Sequence, residues 1–341
     1  MRPTQFAGRT SFDARPRSGC ARSCRRATGV VDESSASRPS AAEQLRKCDA
    51  RFAIDCDRLV DRCPFASVLQ FHLLRLRRYA MATAVSRLLG RPVWYELMTT
   101  DTAAAEMFYK NVVGWTSAPF EGSPTPYTVF KRGGQVQVAG LMSRPAGMNM
   151  PPFWAMYVGV PKLEDAVTQI KRLGGGELSP VIDVPTVGRM QMMKDPQGAA
   201  FYIIQPSSNE ERPETAPEVG EASWHELMTT DAPAAMKFYS QIFQWQPSET
   251  MDMGPLGKYY MFNRPHGMIG GMMNKPPAMA QVPPHWMIYF RVPDINAAVE
   301  RVKKNGGNIL NGPMEVPGGD WVVNAMDPQG AAFSLHTKKA Q

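Results

Sequence analysis

Three observations predict an α+β protein built from two tandem copies of one domain. First, Trp94-Tyr95-Glu96-Leu97-Met98-Thr99-Thr100-Asp101 returns as Trp224-His225-Glu226-Leu227-Met228-Thr229-Thr230-Asp231, with one change in eight residues. Second, Asp195-Pro196-Gln197-Gly198-Ala199-Ala200-Phe201 returns unchanged as Asp327-Pro328-Gln329-Gly330-Ala331-Ala332-Phe333. The offset is 130 residues at the first pair and 132 at the second. That period is too long for a solenoid and fits a duplicated domain. Third, each copy reads as strand, helix, strands, and then the same order again.

The elements follow from local chemistry. Val93–Thr100 alternates apolar and polar side chains as a half-buried strand does, and Asp101 is a good N-cap. Thr102–Val113 places Ala105, Phe108, Tyr109 and Val112 on one helical face. Tyr127–Lys131 and Gln135–Met142 read as strands joined by the hairpin signal Gly133-Gly134. Phe153–Val160 is a further strand. Leu163–Leu173 is a second helix, stopped by Gly174-Gly175-Gly176. Arg189–Lys194 and Ala199–Gln205 are strands across the turn Asp195-Pro196-Gln197-Gly198. The first domain is therefore placed at 91–206 and the second at 222–338. Residues 207–221, rich in Pro and Glu without periodicity, read as a linker.

Residues 1–90 differ in kind. They hold 17 Lys+Arg against 8 Asp+Glu, so the +7 of the whole chain leaves the rest at −2. The repeats therefore offer no basic surface for nucleic acid. All five cysteines lie in the first 63 residues, so the repeats need no disulfide and suit a reducing compartment. The run Phe65–Tyr79 is too short to span a membrane. Met81-Ala82-Thr83 has the look of a natural start, and residues 1–80 read as upstream sequence or a disordered extension. A cytoplasmic location follows from that reading.

The duplicated opening strand, the helix with Phe108-Tyr109 and Gly114-Trp115, the Gly174-Gly175 helix end and the Asp195-Pro196-Gln197-Gly198 turn resemble the vicinal oxygen chelate superfamily. That group includes glyoxalases, bleomycin-resistance proteins and extradiol dioxygenases. Their counterparts are Asp231, Phe238-Tyr239, Trp245, Gly306-Gly307 and Asp327-Pro328-Gln329-Gly330. The resemblance spans roughly residues 92–337. It implies domains that are each a pair of βαβββ modules, with mixed sheets curled around a cavity. Within the group the chain looks most like tandem proteins labelled glyoxalase-like or hydroxylase-like.

Metal-dependent members carry ligands at fixed strand positions, which here fall on Trp94 and Trp224, Ala155 and Met287, Tyr202 and Ser334, and near Gly140 and Gly270. None is a good divalent-metal ligand. No metal and no other cofactor are expected. Of the second repeat's histidines, His225 should face away from the cavity, while His336 shares the face of Ser334.

If the ligand columns face the cavity, so do residues two positions on. Trp94, Glu96, Tyr157 and Tyr202 then line the first pocket, and Trp224, Glu226, Tyr289 and His336 the second. Glu96 and Glu226 are candidates for general acid–base catalysis, with tyrosines as donors to a developing oxyanion. Their other reading is structural, as ties between strands. The tryptophans at 115, 154, 245 and 286 read as core. The function expected is metal-independent binding or sequestration of a small, partly aromatic ligand. The alternative is a glyoxalase-like lyase or isomerase, or a hydroxylase-like enzyme, using the cavity Glu and Tyr groups. An interaction protein is a third reading. The chain is expected as a pseudo-dimeric monomer or a homodimer.

Overall fold

The computed structural model describes residues 88–339 apart from 124, 149, 209–214 and 266. The readings made for residues 1–80 and for the start at Met81 lie outside the described residues.

In the first domain β1 (Pro92–Thr99) leads into α1 (Thr102–Val113), followed by β2 (Thr116–Pro119), β3 (Tyr127–Arg132) and β4 (Val136–Ser143). The second half has β5 (Phe153–Gly159), α2 (Leu163–Arg172), β6 (Gly176–Glu177), β7 (Ile182–Val184), β8 (Gly188–Lys194) and β9 (Ala200–Pro206). The second domain repeats the order. Its first half has β10 (Ala222–Thr229), α3 (Ala232–Phe243), β11 (Gln246–Asp252), β12 (Lys258–Arg264) and β13 (Gly267–Asn274). Its second half has β14 (His285–Arg291), α4 (Ile295–Lys304), β15 (Asn308–Glu315), β16 (Trp321–Met326) and β17 (Ala332–Thr337). Strands β2, β6 and β7 were not read from the sequence. They are edge strands of four, two and three residues, too short to carry a readable pattern.

Each domain is one curled mixed sheet. The first runs β2-β3-β4-β1-β5-β9-β8-β6, with β7 also on β8, and the second runs β11-β12-β13-β10-β14-β17-β16-β15. Within each half the opening strand pairs in parallel with the closing one, as β1 with β4 and β5 with β9. The halves join antiparallel through β1 and β5. Every strand of each sheet comes from its own repeat, so the domains exchange none among the described residues.

The helices start where their caps dictate. The carboxylates of Asp101, Asp231 and Asp294 each accept an amide N–H three residues on. Helix α1 ends at Gly114 in the left-handed region (φ 88°), and α3 at Gln244 in the same region (φ 57°). The copy thus keeps the turn although it lacks the glycine.

The convex faces and the helices of both domains share one apolar core. Helix α1 packs on α4 of the other domain, and α2 on α3. Phe108 fills the space over Gly307, where a Cβ would collide with its ring, and Phe238 lies close over Gly175, where a Cβ would first strike Ile170 and the Lys194 carbonyl. The polar seams are equally reciprocal. Tyr109 donates to Asp327 and Tyr239 to Asp195, both at 3.1 Å. Trp154 and Trp286 donate to those tyrosine hydroxyls. Trp115 donates to the Gly220 carbonyl, and Trp245 to that of Gly90. Asp195 and Asp327 also accept amides of their own Pro-Gln-Gly turns, which explains why this heptapeptide is identical in both copies.

At the centre, Tyr95 and His225 occupy equivalent positions. Their rings stack 5.6 Å apart, and the Tyr95 hydroxyl lies 2.6 Å from His225 Nε2. His225 Nδ1 lies 2.6 Å from the Ile269 carbonyl. This network assigns the proton to Nδ1 and makes Nε2 the acceptor for Tyr95. Burial lowers the His225 pKa to about 4. The residue therefore faces away from the cavity, as strand parity requires.

Candidate ligand cavities in the two domains

Alternation on β1 turns Trp94, Glu96 and Met98 to the concave face, opposite Tyr95 and Leu97. Glu96 sits between Gly140 on β4 and Ala155 on β5. The small neighbours leave room for larger groups from farther strands. The Tyr127 ring of β3 lies across Gly140, where a Cβ would strike it. Tyr157 Oη donates to Glu96 Oε1 at 2.8 Å, and Tyr127 is a second hydroxyl partner. Trp94 Nε1 in turn donates to Tyr127 Oη at 2.9 Å.

Burial raises the Glu96 pKa above the ordinary carboxylate value, and the two tyrosine hydrogen bonds oppose that shift only in part. The carboxyl is 5% exposed and its partners come from β3 and β5. It therefore ties strands together while facing the concave surface. Tyr157 stacks on Tyr202 of β9, with ring centroids 4.3 Å apart. Around them lie Met98, Met142, Met190, Met192 and Ile204.

The second domain repeats the centre of this arrangement. The Tyr259 ring lies across Gly271, and its hydroxyl donates to Glu226 Oε2 at 3.0 Å. Trp224 Nε1 donates to Tyr259 at 2.8 Å, and Tyr289 also bonds Glu226. Burial again raises the carboxyl pKa. The strand register pairs Glu226 with Gly271 as it pairs Glu96 with Gly140. The counterpart of Gly140 is thus Gly271, which corrects the expected Gly270.

The flanking wall differs. Where the first domain has Val93, Met192, Tyr202 and Ile204, the second has Ser223, Asn324, Ser334 and His336. Asn324 Nδ2 donates to Ser334 Oγ at 2.7 Å and lies 3.3 Å from Tyr289 Oη. His336 lies across from Val322, a member of the concave cluster, and so shares its face.

The structure thus gathers Trp94, Glu96, Tyr157 and Tyr202 on one surface, and Trp224, Glu226, Tyr289 and His336 on the other. Sequence reasoning missed Tyr127 and Tyr259. A signal was present, because each recurs at the same offset and each precedes a strand carrying glycine.

The family's metal positions do not fit a metal here. They hold Trp, Ala or Met, Tyr or Ser, and Gly, and the tyrosine ring over the glycine occupies the space a ligand side chain would need. Among the described residues, no three His, Cys, Asp or Glu side chains converge in a metal-binding group. Also among them, no helix is long and apolar enough to cross a membrane.

A model of the Glyoxalase/Bleomycin resistance protein/Dioxygenase superfamily matches residues 222–335. The "Putative glyoxylase CFP32" of Mycobacterium bovis is 31% identical over 250 residues, covering 72% of this chain and 94% of that protein. The "Anthracycline biosynthesis protein DauV" of Streptomyces sp. (strain C5) is 30% identical over 263 residues, covering 72% and 92%. Among solved structures, the Mn(II)-bound glyoxalase from Novosphingobium aromaticivorans shares the fold. Its TM-score is 0.51 at 16% identity, over 74% of this chain and 82% of that one. With both repeats aligned to such relatives, the chain belongs to the Glyoxalase/Bleomycin resistance protein/Dioxygenase superfamily.

Proposed function

We propose that the protein binds a small, flat, partly aromatic molecule without a metal, and that the first domain holds it. The observation behind this reading is the concave face of that domain. The stacked Tyr157 and Tyr202, the indole of Trp94 and a set of polarizable methionines surround one buried carboxyl. Aromatic walls with adaptable thioethers suit a planar ring system, and a few convergent polar groups suit its hydroxyl or carbonyl substituents. The name of the Streptomyces relative, which refers to anthracycline biosynthesis, agrees with a polycyclic ligand.

The test is titration of the full chain with a dihydroxyanthraquinone, read by tryptophan fluorescence and by calorimetry, with and without chelator. Saturable binding of one equivalent, unchanged by chelator and weakened by Tyr202→Ala, is the expected result. Binding that requires an added divalent ion, or no binding by any planar polycycle, would sink the reading.

An enzymatic reading rests on the carboxyl itself. A glutamate held toward its protonated form beside two phenols can pass a proton to or from a bound ligand, as a lyase or isomerase requires. Turnover of the bound ligand, lost in Glu96→Gln with affinity retained, separates catalysis from sequestration.

A further inference from the structure

The wall that differs between the domains contains a second constellation that the Glu–Tyr clamps do not use. His336 on β17 stands between Ser223 on β10 and Asp320, which precedes β16. Ser223 Oγ lies 2.8 Å from His336 Nδ1, and Asp320 Oδ2 lies 2.9 Å from His336 Nε2. The other Asp320 oxygen accepts the Lys339 amide at 2.9 Å. Partial burial pushes the Asp320 pKa up, but the Lys339 amide and the His336 ring outweigh it and leave it below the ordinary value. Asp320 is therefore a carboxylate, and it must receive a proton from Nε2–H. That fixes the tautomer: Nδ1 carries the lone pair, and it faces the serine hydroxyl. The Tyr289 carbonyl, 3.3 Å from Ser223 Oγ, is the longer alternative acceptor.

The backbone explains how Ser223 reaches this place. Ala222 pairs with Phe290 and Trp224 with Tyr289, so Ser223 is the extra residue of a β-bulge. Bulges re-aim a side chain that strict alternation would send elsewhere. The first domain has the same bulge between Pro92 and Trp94. There the corresponding side chains, Val93 and Ile204, pack into the concave cluster. The fold therefore stands without the polar triple, and the triple belongs to the second domain alone. Ser223 and His336 are both partly buried and not sealed off, and the His336 side chain is 13% exposed.

We propose that Ser223 is a nucleophile, that His336 is its general base, and that Asp320 is a positioning residue. Together they accept an acyl group from an ester bound at the second cavity. Nucleophile, base and orienting carboxylate within hydrogen-bond reach of one another are what such activation requires. In the step, Ser223 Oγ bonds to the ester carbonyl carbon while its proton passes to His336 Nδ1. The ester C–O bond breaks, and the departing alkoxide or phenoxide takes that proton. Water, deprotonated by His336, then releases the carboxylic acid and restores the serine. The proposal does not depend on the ligand of the first domain.

The test uses the full chain with a fluorophosphonate probe and with p-nitrophenyl acetate. The expected result is one label per chain, placed on Ser223 by peptide mass spectrometry, with ester turnover. Ser223→Ala and His336→Gln should each lower labelling and turnover at least ~100-fold. Asp320→Asn should lower kcat about 10-fold with KM unchanged, and Asp320→Glu should recover part of the loss. Ser223→Val and His336→Ile place the first domain's residues in the second, so they provide folded inactive controls, checked by their melting temperature. No label on Ser223 in the folded protein, labelling indifferent to His336→Gln, or acylation confined to other side chains would each overturn the proposal.

Discussion

Toward each other, the two domains present nearly the same chemistry. Phe108 and Phe238, Tyr109 and Tyr239, Trp154 and Trp286, Asp195 and Asp327 make the same contacts in both directions. On their concave faces they agree only at the centre, where Trp, Glu and two tyrosines recur, and diverge on one wall. Tyr202 and the apolar Val93, Met192 and Ile204 of the first domain give way to serines, an asparagine and a histidine in the second. The difference assigns the parts. Residues at the domain junction are tied to a partner that must match them, whereas a cavity wall answers only to its own contents.

The strongest way to test the symmetric half of this comparison is to cut it equally on both sides. Phe108→Ala and Phe238→Ala each remove a buried ring from the junction. Each should cost about 3–5 kcal/mol, with the two losses within ~1 kcal/mol of each other in denaturant titrations. A large inequality would show that the junction is not balanced.

In the middle of the junction the two domains differ, with Tyr95 standing against His225. His225 is neutral in the fold, and burial holds its pKa near 4 against an ordinary 6.5. Between those values the unfolded chain binds the proton more readily, so stability is present above about pH 6.5 and is lost as pH falls through about 4. The loss should be on the order of 3 kcal/mol, and it should be absent from His225→Gln. Glu96, Glu226, Asp195 and Asp327 have raised pKa values and act in the opposite sense, favouring the fold as pH falls. The difference between wild type and variant across pH, measured by chemical denaturation, therefore isolates the histidine.

At the shared centre of the cavities, Glu96→Ala should cost roughly 2–3 kcal/mol, because two buried tyrosine hydroxyls lose their acceptor. Glu226→Ala should cost less, since the Ser334 hydroxyl, already within hydrogen-bond reach of Tyr289, can accept the proton that Glu226 no longer takes. Equal losses in thermal melts would show that the second domain's polar wall contributes nothing there. The smallest expected effect concerns the wall that differs. Tyr202→Ser imitates Ser334, and it should weaken a planar aromatic ligand about 10-fold, or ~1.4 kcal/mol by calorimetry, on top of the lower melting temperature that removing a buried ring brings.

Much of the fold was legible in the sequence because duplication supplies an internal alignment. Two copies of Asp-Pro-Gln-Gly and of the opening octapeptide fixed the order of elements without any outside reference. The edge strands β2, β6 and β7 were not legible, since their pairing comes from neighbours and not from a pattern of their own. Strand parity correctly turned Trp94, Glu96, Tyr157 and Tyr202 to one face. It could not supply Tyr127, which reaches Glu96 across the glycine of an intervening strand, a matter of sheet register. It also misplaces Ser223, because a bulge suspends alternation at that residue. The register behind the first miss is equally what replaces Gly270 by Gly271.

The single core beneath the two sheets also bears on how such a molecule can change. In an assembly of two identical chains, every substitution appears twice, and a novelty in one pocket is forced on the other. Here the halves lie on one polypeptide and share one interior. A mutation can enter one pocket while its twin keeps its own wall. Covalent linkage thus separates inheritance of the scaffold from inheritance of the site, and Ser223 with His336 in one domain where the other has Val93 and Ile204 is what that freedom looks like at the level of side chains.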